Sequence, residues 1–334
     1  MTDVRIAVIG AGMAGLACAN ELARADVRVT VVERSRGLGG RLATRRDGSL
    51  SFDHGAQFFT ARCGPFARFV EAAGRAGATA AWRPRIREDD RTRDAPLDEW
   101  HVGIPGMSTA VRPLSRSVEL LTGTAVRGLR RTPGGWRLLT DADGPARVFD
   151  AVALTVPAPQ AIALLEGLGH GFQRIGTVRM APCWTAMIGF DSAVDAGADV
   201  RRWTSGPVAW AARDSSKPGR PAGTQCWVVH ASWAWSREHL EDDAVGVGRQ
   251  LLREFGIACG LRLPPPATLR AHRWRHAFVE QPLGAPCVVD AEDAVGVGGD
   301  WCIAPRVEAA FDSGRALAHA LLPVVGRALP ALPG

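Results

Sequence analysis

Tyrosine is absent from the 334 residues and Lys217 is the only lysine, so the net charge of +6 is an arginine charge. With abundant alanine and glycine, this reads first as coding bias, although an arginine surplus also suits a ligand that carries phosphates. No basic run with interleaved aromatics occurs, which argues against nucleic acid as a partner. The seven cysteines (Cys18, Cys63, Cys183, Cys226, Cys259, Cys287, Cys302) are scattered, odd in number and form no C-x-x-C pair. Neither a disulfide framework nor a metal site is signalled, and small buried hydrophobes are the expected role. Apolar stretches such as Val27 to Val32 and Ala316 to Val325 fall short of the roughly 20 residues a membrane helix requires. A glycine-rich loop begins a few residues after Met1 and leaves no room for a secretion signal, so a soluble, cytoplasmic protein is expected. There is no Ser-His-Asp arrangement, no H-E-x-x-H motif and no pair of carboxylates flanking a cleft, which sets aside the hydrolytic chemistries those patterns carry.

What the chain does contain is 46% apolar residues over a length beyond the usual single core, so one large or two interlocked domains are expected. Val4 to Gly10 is an apolar β run, Met13 to Ala25 has helical spacing, and Val27 to Glu33 is a second buried strand, which together make a βαβ unit. Thr124 to Trp136 and Arg147 to Val156 read as paired strands with a turn at Pro133-Gly134-Gly135. Ala294 to Asp300 reads as a strand that stops at an acid, followed by a helix through Arg306 to Leu322. Trp184 to Phe190, Gln225 to Trp235 and Thr268 to His276 alternate apolar with polar residues, as half-buried antiparallel strands do, and a helix from Ser236 through Phe255 is predicted over that sheet. Pro264-Pro265-Pro266 is a stiff connector.

The first turn of the βαβ unit carries Gly10-x-Gly12-x-x-Gly15, so backbone N–H groups and a helix dipole are available to a pyrophosphate. Glu33, eighteen residues past Gly15 at the end of the next strand, is placed to accept hydrogen bonds from a ribose diol. NAD and FAD share this fingerprint. Two features favour FAD: Arg34 and Arg41, spaced through Gly37-Leu-Gly-Gly-Arg41, return a cation toward the phosphates, and Gly298-Gly299-Asp300 puts an acid where a ribityl chain would pass. The helix beginning near Val307 would point its dipole at the flavin ring or phosphates, and Asp300 could serve as a helix N-cap as well.

The pattern as a whole resembles the amine-oxidase-like flavoproteins, and within them the renalase family and its bacterial members. Gly10-Ala-Gly-Met-Ala-Gly15, Gly39-Gly-Arg41 and Gly298-Gly-Asp300 are shared across the wide superfamily. Asp53-His-Gly-Ala-Gln-Phe-Phe-Thr60, Ser216-Lys-Pro-Gly-Arg220 and Trp274-Arg-His276 carry the narrower likeness. The resemblance implies an α/β fold: a Rossmann-like FAD-binding domain of the glutathione-reductase type, interleaved with an antiparallel-sheet substrate domain, with FAD held noncovalently. The expected boundaries are 1–60, 103–160 and 284–334 for the first, and 61–102 with 161–283 for the second. The expected cofactor contacts are Gly10, Gly12, Met13, Ala14, Gly15, Glu33, Arg34, Gly40, Arg41, Gln57, Phe58, Val126, Asp300 and Val307. It also implies a reaction, in which 2- or 6-dihydronicotinamide isomers of NAD(P)H pass hydride to FAD and the electrons go on to dioxygen, giving NAD(P)+ and hydrogen peroxide.

A dihydronicotinamide that loses hydride becomes an aromatic cation directly, so no protein base is required and stacking and orientation suffice. The resemblance puts Gln57, Phe58, Phe59, Thr60 and Arg62 beside the flavin and the substrate, with a core role as the alternative for the two phenylalanines. Thr185 on an alternating strand could bond the carboxamide or face solvent, Trp100 at the end of a short strand could stack or serve packing, and Arg306 before the last helix could meet a substrate phosphate or a surface carboxylate. Trp274 and His276 lie two apart on one face, as flavin-pocket wall or as core; His230 and Trp233 share a strand face only if it is bulged. A flavin amine oxidase or desaturase is the second reading. Many amine oxidases keep a lysine at the flavin's reactive nitrogen, whereas Ser215-Ser-Lys217-Pro-Gly is turn-like rather than a strand end. A flavin-binding module without turnover is the third.

Overall fold

The chain opens with two strands that are apolar almost throughout. Arg5–Ile9 and Arg28–Glu33 are buried at every position but their first, as strands covered on both faces are. They pair in parallel, and the Met13–Arg24 helix makes the crossover between them. The computed structural model describes residues 3–62, 64–89, 91–93, 96, 98–141, 147–168, 170–221, 223 and 225–330. Cys63 falls outside the described residues; the other six cysteines are free, and Cys18, Cys183, Cys226 and Cys302 are buried. No helix among the described residues is long and apolar enough to cross a membrane.

Contacts divide the chain into two units, Met1–Gly40 with Val111–Arg179 and Val279–Gly334, and Arg41–Ala110 with Met180–Phe278. The sequence reading puts these crossings at 60, 102, 160 and 283. The stretch 41–60 groups with the second unit because Arg41 O accepts from Ala56 N (2.9 Å), and Asp53 Oδ1 accepts from Thr44 Oγ1 (2.7 Å) and Met107 N (2.8 Å).

The first unit holds a six-stranded sheet in the order Val288–Asp290, Val295–Val297, Ala151–Leu154, Arg5–Ile9, Arg28–Glu33, Glu119–Thr122. Every pairing is parallel except that of Val288–Asp290 with Val295–Val297. The Val307–Leu321 helix packs against the Met13–Arg24 helix so closely that a Cβ on Gly314 would stand 2.1 Å from Ala14 O. Thr124 to Trp136 is not one strand paired with Arg147 to Val156. Val126–Thr132 turns at Pro133-Gly134 into Gly135–Thr140, Val148–Phe149 joins that ribbon, and Ala151–Leu154 goes to the parallel sheet. The glycine turn closes a hairpin locally, which leaves the later apolar run free for the main sheet.

The second unit is built on a seven-stranded sheet in the order Thr268–Gln281, Arg179–Phe190, Gln225–Ala231, Val208–Arg213, Val200–Arg202, Ile86–Glu88, Arg91–Arg93. Its two faces differ. Trp184, Ala186, Ile188, Phe190, Trp227 and Val229 pack with Leu251 and Phe255 of the Ala244–Cys259 helix on one side, whereas Met187, Cys226 and Val228 meet Phe52 on the other. The predicted single helix from Ser236 is two, Trp233–Glu238 and Ala244–Cys259, each with its own polar start. Ser232 caps the first, and Asp243 Oδ1 caps the second by accepting from Val245 N and Gly246 N (2.9 Å each). A Cβ at Gly246 would crowd that carboxylate at 2.7 Å, which accounts for a glycine inside a helix. Trp233 therefore belongs to a helix and not to the strand of His230.

Candidate functional site

In the first unit the three glycines of the opening loop answer to different constraints. Gly10 has φ of +106°, which side chains disfavour. A Cβ on Gly15 would lie 1.9 Å from Gly10 O, so only glycine lets the helix start against the strand. Gly12 meets neither limit: its φ is −77° and the nearest atom to a Cβ there is Gly39 O at 3.9 Å. The space beside it is what a pyrophosphate needs for close approach. No side chain caps the helix at Gly12, so the first-turn N–H groups that include Met13 and Ala14 face that space with their dipole.

Glu33 fixes this loop. Its Oε2 accepts from Ala11 N (2.9 Å) and its Oε1 from Ser35 N (2.8 Å), which leaves carboxylate lone pairs for a ribose diol. Gly39 N donates to Ala11 O (2.8 Å), and a Cβ on Gly40 would lie 3.4 Å from Gly12 Cα, so the second glycine pair folds back onto the first. Arg41 follows directly, and one of its guanidinium nitrogens donates to Ala277 O (3.2 Å). Arg34 is exposed just past Glu33, and Val126 is half-buried at the head of its strand. Asp300 is buried and opens the short Asp300–Ile303 helix; Gly299, not Asp300, is the N-cap residue, and no side chain closes that end. The last helix is separate, with exposed Arg306 as its N-cap residue and half-buried Val307 as its first turn.

The second unit brings together residues from three of the narrower motifs. Asp53, Asp214, Lys217 and Arg220 form a cluster whose side chains are 0–1% exposed. Lys217 Nζ donates to Asp214 Oδ1 (2.6 Å), Asp53 Oδ2 (3.1 Å) and Gln57 Oε1 (3.3 Å). Arg220 donates to Asp53 Oδ2 and to Gly103 O (3.0 Å), and its Nε lies 3.6 Å from Asp214 Oδ2. Two carboxylates and two cations cancel where solvent does not reach. Burial alone pushes Asp53 up, but Lys217, Arg220 and the bonds from Met107 and Thr44 outweigh it and hold its carboxyl at about 2. Asp214 goes the other way, raised by burial and by Asp53.

The loop that begins at Asp53 leads into an aromatic group. Phe58 stacks on Trp100 at a centroid distance of 3.6 Å and 9° and reaches Trp210 at 5.8 Å, while Trp82 flanks Trp100 at 5.7 Å. Trp100 begins its strand, Trp100–Gly103, rather than ending one. With Phe58 and Trp100 in contact, a planar ligand has no slot between them and stacks on an outer face. Phe59 takes the core role: it is 3% exposed, bridges to His101 and packs on Phe66. Thr60 is half-buried, and Arg62 pairs at the surface with Asp98 (2.7 Å). Thr185 is fully buried and stands in register with His230, which stands in register with Trp210, on the sheet face that also carries Met187 and Val228. His230 does not share a strand with Trp233, and a polar residue following the apolar run Cys226 to Val229 was the available signal for it.

His230 Nε2 lies 3.5 Å from Gln57 Nε2, and burial, then the Lys217 charge, push its pKa down to about 4. His54, beside it in the motif, stacks on Trp274, whose indole N–H donates to His54 O (2.9 Å). Burial and His272 push His54 down to about 3. A cavity of about 400 Å³ lined by Arg85, Asp199, Arg213 and Trp227 lies on the opposite sheet face and shares none of these residues.

A family model of NAD(P)-binding Rossmann-like domains matches residues 8–72. Over the whole chain, the structure is similar to that of a protein from Exiguobacterium sp. 255-15 assigned as protoporphyrinogen oxidase (TM-score 0.76, 14% identity, 96% of this chain and 99% of that one). It is also similar to reduced UDP-galactopyranose mutase (0.72, 11%, 97% and 96%) and to wild-type putrescine oxidase bound to putrescine (0.70, 12%, 96% and 99%). The fold is thus a mixed α/β one that these proteins share, with a Rossmann-like domain and parallel and antiparallel sheets. Two oxidases and a mutase share it, so the fold alone does not select a reaction.

Gly12→Ala is expected to leave the thermal unfolding midpoint unchanged and to weaken binding of a dinucleotide, with FAD as the probe, by roughly tenfold or more, read by flavin fluorescence titration; equal affinity would remove the pyrophosphate from this loop. The two histidines give a second prediction. Their protons are bound less tightly in the folded chain than in the unfolded one, so from about pH 6.5 downward the unfolded state takes up protons that the fold does not. Stability should therefore be constant from these groups above pH 6.5 and fall toward pH 4 by about 1.4 kcal/mol per pH unit for each histidine. His230→Asn should halve that slope in urea unfolding series, and a slope of opposite sign would contradict neutral buried imidazoles.

Proposed function

We propose that the chain is an FAD-dependent oxidase of renalase type, taking hydride from 2- or 6-dihydronicotinamide isomers of NAD(P)H, with dioxygen as the final acceptor. FAD would supply the hydride acceptor and then reduce dioxygen to hydrogen peroxide. The observation that carries the reading is the state of Lys217, whose three N–H groups meet three acceptors in a buried, neutral cluster. Such an ammonium is not available at a flavin nitrogen, as the amine-oxidase reading would ask, and it cannot shuttle protons without stranding a carboxylate. Asp53 accepts four hydrogen bonds, and burial and the Lys217 charge hold His230 down at about 4, so both are too weakly basic to be poised as a base near pH 7.

What these residues can do is bind and orient. In this reading the Gly10–Gly15 loop and Glu33 hold the dinucleotide of FAD, Asp300 and Val307 contribute to the same cofactor, and Arg41, Gln57 and Phe58 are assigned to it by the family resemblance. Phe58, Trp100 and Trp210 offer apolar ring surface for a nicotinamide, Thr185 offers a hydroxyl in register with His230, and exposed Arg306 suits a substrate phosphate. Hydride departure yields an aromatic cation, so orientation over these rings is sufficient and no proton leaves to the protein.

The test is an anaerobic spectrum of the purified flavoprotein mixed with each dihydronicotinamide isomer. Bleaching of the flavin within seconds by the 2- or 6-isomer, and slowly by ordinary 4-dihydro NADH, is expected. No bleaching by any isomer, with peroxide release from an amine instead, would replace this reading by the amine-oxidase one.

A further inference from the structure

The Gln57 side chain has a single tolerated orientation. Its Nε2 donates to Asp53 O and to Gly55 O (3.0 Å), and its Oε1 accepts from Lys217 Nζ. Turning the amide over would set its NH2 against the ammonium and its carbonyl against two carbonyls, costing all three bonds at once. A Cβ on Gly55 would stand 2.0 Å from Arg41 O, so the backbone at this turn has no room to rearrange around a flipped amide.

The ammonium is equally constrained. Its three donors are matched by Asp214 Oδ1, Asp53 Oδ2 and Gln57 Oε1, and the Trp82 ring lies 5.5 Å away. A neutral amine would turn a lone pair against an oxygen, and a planar guanidinium could not reproduce three converging bonds. Lys217 is thus a fixed charge bonded to the residue that immediately precedes Phe58.

We propose that Lys217 is a positioning residue: by holding Gln57 Oε1 it sets the amide nitrogen toward His230 Nε2 and the following Phe58 ring against Trp100 and Trp210. This deepens the proposed function, since it rests on Gln57 and Phe58 forming the face that orders the reacting rings. The groups around His230 are the Lys217 ammonium, the Gln57 amide, the His54 carbonyl, and Thr185 and Trp210 in register on either side. Lys217 opposes a proton on that imidazole, while the His54 carbonyl favours one.

Two variants test this. Lys217→Met alone would strand a buried carboxylate, so it is combined with Asp214→Asn, which removes one charge of each sign; Gln57→Leu cuts the link while leaving all four charges in place. Nitrogen-15 NMR of the histidine rings in the full-length protein, with the His230 signal identified by His230→Asn, should show the His230 titration midpoint rising by about one pH unit or more in the double variant. Flavin reduction by the preferred dihydronicotinamide isomer should slow by about tenfold or more in both variants with the substrate dependence little changed, and combining all three substitutions should slow it no further. The proposal is overturned if the folded double variant leaves the His230 midpoint and the reduction rate at wild-type values, or if Gln57→Leu, whose charge cluster is intact, reduces at the wild-type rate. Should the wild-type flavin not be reduced by any isomer, the proposed function fails, while the His230 titration still decides the role of Lys217.

Discussion

Asp53, Asp214, Lys217 and Arg220 place two negative and two positive charges beyond the reach of solvent, and the order of the second unit is tied to them. Asp53 ends the short Leu50–Asp53 strand and gathers Thr44, Met107, Lys217 and Arg220 on four lone pairs. Removing either cation would leave a carboxylate unpaired in a medium that solvates it poorly, whereas the intact set has no net charge. A cluster of this kind need not add stability over apolar packing of the same volume. What it does is select one arrangement: the 53–60 turn, the start of the Met107–Ser115 turn and the 214–220 loop have to converge in a single register for every charge to be matched.

Much of this was legible in the residues and some was not. The βαβ opening could be read from two apolar runs and a 3.6-residue spacing, because strands buried on both faces and a crossover helix have unmistakable periods. The pairing of Thr124 to Trp136 is not legible in this way, since a Pro-Gly-Gly turn closes a hairpin with the very next residues and period-2 patterning does not say which partner a strand takes. The single helix from Ser236 failed at Asp243, an N-cap signal masked by a continuous helical spacing. The Lys-Pro-Gly-Arg turn was visible as a turn, but turn chemistry predicts exposure. The buried partners of Lys217 include Asp53 and Gln57, 164 and 160 residues away, and contacts of that range leave no local periodicity. Phe59 and Phe58 are neighbours with opposite fates for the same reason: the β-bridge to His101 turns one inward and the Trp100 stack holds the other.

These constraints bear on chemistry through what they withhold. Ammonium and imidazole both meet the Gln57 side chain next to Phe58, and the Asp53 carboxylate pairs with that ammonium, an arrangement that in another setting would suggest acid–base catalysis. Here the carboxylate accepts four bonds, the ammonium donates three, and the imidazole is held neutral by burial and a nearby cation. Such a site suits a reaction in which the substrate supplies its own driving force on losing hydride and asks of the protein only a fixed geometry and an apolar, aromatic surface.

The pH dependence of anaerobic flavin reduction by a saturating dihydronicotinamide isomer tests this most directly. With Asp53 held at about 2 and His54 and His230 at about 3 and about 4, none of these groups changes charge between pH 6 and pH 9, and the first-order rate should be flat across that range. A rate that rises tenfold per pH unit to a plateau, as removal of one proton by a protein base would produce, would contradict the account.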